Sequence, residues 1–485
     1  MKEITLYNDC FFESAHDQFV VKCSVDTKER GGVAKILSAH ADCKVNSVEA
    51  LDKEALLSGK VIIKIIYLDK NGNPQGLDYF CDFSEKVSCD DVTADMLLSA
   101  DCSVVDLSTA ISDEISVASV CDVSLKRIGK RELKCLDFDE ENYYKKVQPQ
   151  SLVRLEAIPD TVFEINEEVE SGGKVDKVLL FDSLADLVGV ERSGDSAKVS
   201  GNLVSDVVFL RDGEIACKRI SIPFQEDIAA DGDMDLSVSV KSSRLVLAGT
   251  DDDVIFQIEA LLVVNGRQVK TEEIETVVDV FAEDRELNCT VQKMPCRKFY
   301  KDFCLETTVS ASADADKLPD GSRLLADSVG RVNIANIIPQ ENGVVIEGLV
   351  ALDVIYISDD VIRSVQVELP FSNEFNADGV SPDDYLRTTA LVNKVTVGIS
   401  QSVLKLSAEL SFHVSAYRSY NLTWISECEV GKEKPKSPYG ISVYFIDPKK
   451  EVWNIAKELN VDPASLDGNL DENSSRITIF RKRKD

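Results

Sequence analysis

The feature that most constrains this chain of 485 residues is an internal repeat. Three segments align without a gap: SGKVIIKIIYL from residue 58, SGNLVSDVVFL from residue 200 and EGLVALDVIYI from residue 347. Each contains a glycine followed eight residues later by an aromatic residue, and a phenylalanine follows that glycine after 24, 23 and 23 residues. The glycines and phenylalanines are Gly59 and Phe83, Gly201 and Phe224, and Gly348 and Phe371. A repeat of this length predicts three copies of one folding unit.

The repeated segments have the pattern of β-strands. In the run that starts at Asp235, apolar residues alternate with serine, which is typical of a half-buried strand. Turns such as DG and NG separate the runs and favour antiparallel hairpins. We therefore predict a mainly β protein with three tandem antiparallel β-sandwich or barrel-like modules. Their predicted bounds are 1–145, 146–290 and 291–430, arranged like beads on a string, because about 145 residues can bury a core.

Composition restricts the partners and the compartment. Asp plus Glu number 85 against 54 Lys plus Arg, a net charge of −31 that repels nucleic acid and anionic membranes. No apolar run has the length of a membrane span, and the first residues lack the pattern of a signal peptide. The 13 cysteines are irregularly spaced, which favours free, buried thiols. These features predict a cytoplasmic protein without membrane insertion.

The sequence contains no recognisable catalytic or cofactor motif. Phosphate-binding, dinucleotide-binding, metalloprotease and serine-hydrolase patterns are all missing, and the three histidines stand apart from one another. The acidic run 231–235 begins like a calcium loop, but Leu236 occupies the position that requires glycine. We therefore expect no enzymatic activity, no cofactor and no metal ligands.

The composition changes after residue 430. Residues 431–438, GKEKPKSP, have the character of a linker, and 439–485 form a separate small module. A strand is predicted at 441–446, and an apolar stripe with helical spacing follows from Val452 to Leu459. Asp462 and Pro463 are typical of the start of a second short helix, and 477–480 suit a closing strand. The predicted module is βααβ.

The central run of this module, VWNIAKELNVDPASL, resembles the LysM family. The resemblance implies a core formed by Trp453, Ile455, Leu459 and Leu466. It also implies a binding groove between two loops, for N-acetylglucosamine-containing glycan or a protein partner. The candidate loop residues are Lys449, Lys450, Glu451, Asn469, Leu470 and Asp471. The first loop has Lys-Lys-Glu where the family usually has Gly-Asp-Thr, a departure that counts against sugar recognition.

Three β modules ahead of a LysM-like module resemble the SPOCS-domain morphogenetic proteins of the spore coat. The repeated glycine–aromatic strand carries this resemblance, together with the Pro-Phe pairs at 223–224 and 370–371. It implies a scaffold on the mother-cell side of the forespore surface. The implied partner is the ATPase of the coat's basement layer, which the LysM-like module would dock. The alternative is an adaptor that binds peptidoglycan.

Overall fold

The computed structural model is built almost entirely from antiparallel strands, which confirms the predicted mainly β class. It describes residues 1–90, 92–94, 96–112, 114–139, 143–194, 196–229, 232–250, 252–313, 318–319, 321–400, 403–434, 440–445, 450–466 and 476–481.

The first six strands form two three-stranded sheets, which we call module 1. They are β1 (Lys2–Asp26), β2 (Lys35–Leu51), β3 (Glu54–Leu68), β4 (Pro74–Ser88), β5 (Leu97–Ile111) and β6 (Glu114–Asp137). One sheet has the order β2-β3-β4 and the other the order β1-β6-β5. Apolar residues of both sheets share one buried cluster, so the module is a sandwich with a core between its sheets.

Modules 2 and 3 repeat this topology. Module 2 contains β7 (Tyr143–Glu170), β8 (Lys177–Ser193), β9 (Ser196–Arg211), β10 (Glu214–Ala229), β11 (Asp233–Thr250) and β12 (Asp253–Ala282). Module 3 contains β13 (Arg285–Ala313), β14 (Arg323–Gln340), β15 (Gly343–Ser358), β16 (Val361–Asn376), β17 (Tyr385–Ser400) and β18 (Val403–Glu433). In each module the second, third and fourth strands form one sheet, and the last strand pairs with the first and the fifth in the other.

The glycine and phenylalanine of the repeat form one cross-strand pair. Phe83 lies opposite Gly59 in the β3–β4 register, and the same pairing joins Phe224 to Gly201 and Phe371 to Gly348. A β-carbon on Gly59 would lie 2.6 Å from the Phe83 ring and 2.3 Å from the backbone oxygen of Lys44. The glycine therefore leaves room for an aromatic ring to cover the strand.

The three modules close into a ring. We call the sheet of the second, third and fourth strands of each module its inner sheet. The last strand of one inner sheet contacts the first strand of the next: β4 contacts β8, β10 contacts β14, and β16 contacts β2. Buried apolar clusters cross these boundaries, and one of them combines Leu37 and Leu68 of module 1 with Leu180 of module 2 and Ile355 of module 3. The expectation of beads on a string was wrong, because each module completes part of its core with its neighbours.

The C-terminal segment is a small unit of strand, helix and strand. Strand β19 (Gly440–Phe445) pairs antiparallel with β20 (Arg476–Arg481). Between them lie the α-helix α1 (Val452–Leu459) and the 3₁₀ turn Pro463–Ser465, where a second helix was predicted. The two strands and the first helix lie where they were predicted, whereas the βααβ module and its membership of the LysM family stay predictions. The described part of the chain contains no helix with the length and hydrophobicity of a membrane span.

The cysteine prediction needs one correction. Cys289 on β13 and Cys428 on β18 lie opposite each other in the register and are joined by a disulfide bond. Their 139-residue separation gave no local spacing from which to predict the pair. Free thiols, as predicted, are found at Cys23, Cys43, Cys81, Cys102, Cys121, Cys135 and Cys304.

Candidate functional site

A charged cluster lies where the three inner sheets meet. The residue five positions after each repeat glycine is charged: Lys64 in module 1, Asp206 in module 2 and Asp353 in module 3. Each lies in the middle strand of its sheet and is followed directly by two apolar residues. This common position brings three charges to the centre of the ring.

Each of these charges connects its module to the next. Lys64 Nζ donates to Asp182 Oδ1 of module 2 at 2.8 Å. Asp206 holds Arg219 with two hydrogen bonds of 2.6 Å, and Arg219 Nη1 donates to the backbone oxygen of Val392 in module 3 at 2.7 Å. Asp353 accepts a hydrogen bond of 2.8 Å from Ser38 Oγ of module 1. The polar contacts therefore run around the ring in one direction.

Burial and neighbouring charges shift the pKa values of these groups. Burial alone would raise the pKa of Asp182, but Arg331 and Lys64 outweigh it and lower that pKa to about 2. Burial, reinforced by Arg331, lowers the pKa of His40 to about 3. Burial also raises the pKa of Asp353, against the hydrogen bond from Ser38. At neutral pH the cluster therefore combines the ionised carboxylate of Asp182, the guanidinium of Arg331 and the neutral imidazole of His40.

A cavity of about 600 Å³ adjoins the cluster and is lined by all three modules. Its polar lining includes His40, Asp182, Asp206, Arg219 and Arg331. These cations are already paired with carboxylates, so no guanidinium among the described lining residues is left unpaired for an anionic ligand. Buried ion pairs add little net stability but favour one arrangement of their partners, so the cluster specifies how the modules pack.

Three thiols lie together inside module 1. The sulfur atoms of Cys43 on β2, Cys102 on β5 and Cys121 on β6 are all within 4.8 Å of one another. Hydrogen bonds from Cys102 and Cys43 lower the pKa of the Cys121 thiol to about 4. Cys43 and Cys102 also line the central cavity.

The C-terminal segment packs against module 2. Trp453 Nε1 donates to Asp279 Oδ2 at 2.8 Å, and the Trp453 ring lies edge-on to Phe281 with centroids 5.2 Å apart. Lys457 Nζ bonds both oxygens of Asp279, at 2.6 and 2.8 Å. A β-bulge in β12 between Val277 and Asp279 precedes these contacts, and such bulges redirect side chains.

Further contacts hold this segment at the junction of modules 2 and 3. Lys434 Nζ, beyond the end of β18, donates to the backbone oxygen of Ala282 and to Asn460 Oδ1, each at 2.7 Å. Asn460 Nδ2 donates to the backbone oxygen of Glu283 at 2.6 Å. Residues 431–433 of the predicted linker belong to β18, and 435–438 lie outside the described residues.

The predicted core residues of the segment occupy different environments. Ile455 and Leu466 are buried, with 2% and 1% of their surfaces exposed, and Leu459 is half-buried. Trp453 is half-buried at the contact with module 2. Their cluster includes Phe281 of β12, so the segment shares its core with module 2.

Four of the six predicted loop residues lie outside the part of the chain that the structure describes: Lys449, Asn469, Leu470 and Asp471. Glu451 accepts a hydrogen bond of 2.6 Å from Lys146 of module 2, and Lys450 pairs with Glu458 of α1. The described part of the predicted groove is therefore engaged within the chain.

Strand β19 presents an apolar face to solvent. Ile441, Val443 and Phe445 alternate along the strand and are 67%, 51% and 84% exposed. Alternate residues of a strand point to the same side, so the three form one surface, which we call the β19 face. Exposed apolar surfaces of this kind mark interaction sites.

Three features escaped the sequence analysis: the charged cluster, the thiol group and the β19 face. Lys64, Asp206 and Asp353 interrupt apolar strands at one shared position, and a buried strand rarely carries a charge without a partner. The thiol group could be found only by aligning strands of both sheets. The β19 face alternates in the sequence, but only the structure shows which side is covered.

Comparison with known proteins agrees with the repeat. Residues 32–112 and 326–400 match the family model described as SipL, SPOCS domain. Both matches span the inner sheet and the fifth strand, in modules 1 and 3. The search of curated proteins and the search of solved structures gave no match. Module 2 has the same topology and the same glycine–phenylalanine pair. The parts of modules 1 and 3 that the family model matches are therefore similar to the SPOCS domain of SipL, and module 2 shares their topology.

Proposed function

We propose that this protein is a non-enzymatic scaffold of endospore coat assembly, and that its C-terminal segment docks a protein partner. The SPOCS match supports a role in sporulation. The observation that carries the docking proposal is the β19 face, where three large apolar side chains are at least half exposed on a segment fixed to module 2.

The chemistry of the β19 face favours a protein partner over glycan. Burial of Ile441, Val443 and Phe445 would contribute about 1.5–3 kcal/mol for each side chain that becomes fully covered. A glycan groove needs polar loop residues free to bind hydroxyl and acetamido groups. Glu451 is instead paired with Lys146, and Lys450 with Glu458.

The proposed partner is the ATPase of the coat's basement layer, on the mother-cell side of the forespore surface. A rigid ring fits this role because its modules are fixed relative to one another, so a docked partner is held in a defined orientation. Fixed orientation reduces the entropy lost when several weak contacts form on an assembling shell.

Binding of the full chain to the purified ATPase tests the proposal. We expect Phe445→Ser combined with Ile441→Ser to weaken binding at least 10-fold, measured by biolayer interferometry. Val361→Ser is a matched control, because Val361 is 50% exposed at the start of a strand in module 3. Equal binding by the wild type and the double variant would refute the β19 face as the docking surface.

Co-sedimentation with purified peptidoglycan tests the alternative. A glycan adaptor would sediment with the cell-wall polymer in high salt, and its binding would survive the change at Phe445. We expect no salt-resistant sedimentation. Sedimentation without binding to the ATPase would replace the scaffold proposal with the adaptor.

A further inference from the structure

The thiol group in module 1 occupies positions that are ordinary core positions elsewhere. Cys43 pairs with the residue two places after the repeat glycine, and the equivalent residues are Ala185 in module 2 and Val332 in module 3. Cys102 lies three residues before the bulge in the fifth strand, where modules 2 and 3 have Val238 and Ala390.

The third thiol, Cys121, also occupies a position that is an ordinary core position in the other modules. Cys121 pairs with Val104 immediately before that bulge, and its equivalents are Leu262 and Leu410, both buried. Burial agrees at every position: the first two sites are half-buried in all three modules and the third is buried. An apolar residue therefore satisfies each site, and only module 1 has cysteine at all three.

The spacing of the sulfur atoms suits a bound metal ion. An ion with metal–sulfur bonds of about 2.3 Å holds its thiolates about 3.8–4 Å apart. The three sulfurs are within 4.8 Å of one another, so shifts of less than about 1 Å would bring them to a common ion. The ligands come from β2, β5 and β6, so both sheets of the sandwich would be joined.

The donor set indicates which ions fit. Thiolates select soft ions such as copper(I) and zinc(II). Among the described residues, no histidine, carboxylate or further cysteine joins these three thiols as a fourth ligand. Three sulfurs satisfy a trigonal copper(I) ion, whereas zinc(II) would take a fourth ligand from solvent. Cys43 and Cys102 line the cavity, which supplies a path for the ion and for water.

We propose that Cys43, Cys102 and Cys121 form a binding site for one soft d¹⁰ metal ion, zinc(II) or copper(I), in the core of module 1. This site is independent of the β19 face and of the proposed scaffold role. On binding, the three thiols release their protons to solvent and hold the ion as thiolates, which would tie the two sheets of module 1 together.

Metal stoichiometry of the full chain tests the site. The protein is purified without oxygen in a phosphine reductant and loaded with zinc(II) alone or copper(I) alone. It is then desalted and analysed by mass spectrometry for bound metal. We expect about one ion per chain with at least one of the two metals. Less than about 0.1 ion per chain with both would overturn the proposal.

Module 2 supplies the matched variant. Cys43→Ala, Cys102→Val and Cys121→Leu together install its residues at the same positions. We expect this triple variant to retain at least 10-fold less metal. The control is Cys23→Ala with Cys81→Ala, which removes a different pair of interacting thiols in module 1 and should leave the stoichiometry unchanged. Loss of metal in the control but not in the triple variant would assign the ion elsewhere.

X-ray absorption on the loaded wild type gives a readout that does not depend on variant folding. We expect three sulfur neighbours at about 2.3 Å in the first shell. A first shell of oxygen and nitrogen alone would contradict the site even if the stoichiometry were one.

Discussion

The indole of Trp453 donates a hydrogen bond to Asp279, a residue 174 positions earlier in the chain. The same carboxylate binds Lys457, so one side chain of β12 holds two residues of α1. We predict that Asp279→Ala releases the C-terminal segment, because the change removes three hydrogen bonds worth about 1–2 kcal/mol after screening by solvent. Limited proteolysis should cut residues 431–439 at least 5-fold faster.

The matched control for this experiment is Glu272→Ala, an exposed carboxylate on the same strand. It should be cut at the wild-type rate. A proteolysis rate unchanged in Asp279→Ala would show that the apolar contact of Phe281 holds the segment without the hydrogen bonds.

Gly348→Ala should destabilise module 3. The new β-carbon would lie 2.4 Å from the backbone oxygen of Asn333 and 2.7 Å from the ring of Phe371. Both distances force the strands apart, at a cost of about 1–3 kcal/mol. Calorimetry should show a lower melting temperature, and Phe371→Leu should restore only part of it because the backbone contact remains.

Gly398→Ala is the control for that change, because a β-carbon there would meet nothing within 4 Å. It should melt like the wild type. If Gly348→Ala melted like this control, the ring of Phe371 would not require the glycine.

Reversing the charge of Asp182 should open the ring. Asp182→Lys would place a cation against Lys64 and Arg331, which now share the carboxylate. A compact chain of 485 residues has a radius of gyration of roughly 23 Å, and small-angle scattering should give that value for the wild type. We expect the variant to exceed it by several ångströms.

Asp160→Lys makes the same change at an exposed position of β7 and should leave the radius unaltered. A wild-type radius far above roughly 23 Å would instead restore the beads-on-a-string arrangement.

His40 should make the protein less stable as the pH falls below 6.5. Its pKa in the fold is about 3, below the ordinary 6.5, so the unfolded chain binds the additional proton first. Its contribution is fully present above pH 6.5 and declines as the pH falls toward 3. The loss at pH 4.5 amounts to about 2–3 kcal/mol.

Denaturant titrations between pH 7.5 and pH 4.5 measure this loss. His40→Gln cannot take up the proton and should show a shallower decline, while His16→Gln, at an exposed site, should follow the wild type. Parallel curves for wild type and His40→Gln would assign the acid sensitivity to other groups.

Local features of the fold were predictable, whereas contacts between modules were not. The glycine-to-phenylalanine spacing of 23 or 24 residues is the length of a hairpin that returns to its starting point, so it defined the inner sheets. The alternation near Val238 indicated a half-buried strand, and the structure places it in β11. These inferences succeeded because they concern neighbours in sequence.

The ring joins residues that no local pattern connects. Ser38 and Asp353 are 315 residues apart, and nothing in either strand names the other as its partner. The same holds for Trp453, whose apolar stripe predicted a core but not the contribution of Phe281. Nor does the sequence show that Phe445 is exposed, because only the pairing of β19 with β20 shows which side of the strand faces solvent.

A ring of three identical chains would have to repeat every side chain three times. Here one polypeptide supplies all three parts, so each equivalent position is free to differ. The shared position in the middle strand is lysine once and aspartate twice, and the core position of Cys121 is a thiol in one part and leucine in the others. Covalent fusion thus gives the ring the geometry of a homotrimer without its symmetry, and one assembly can carry three different tasks.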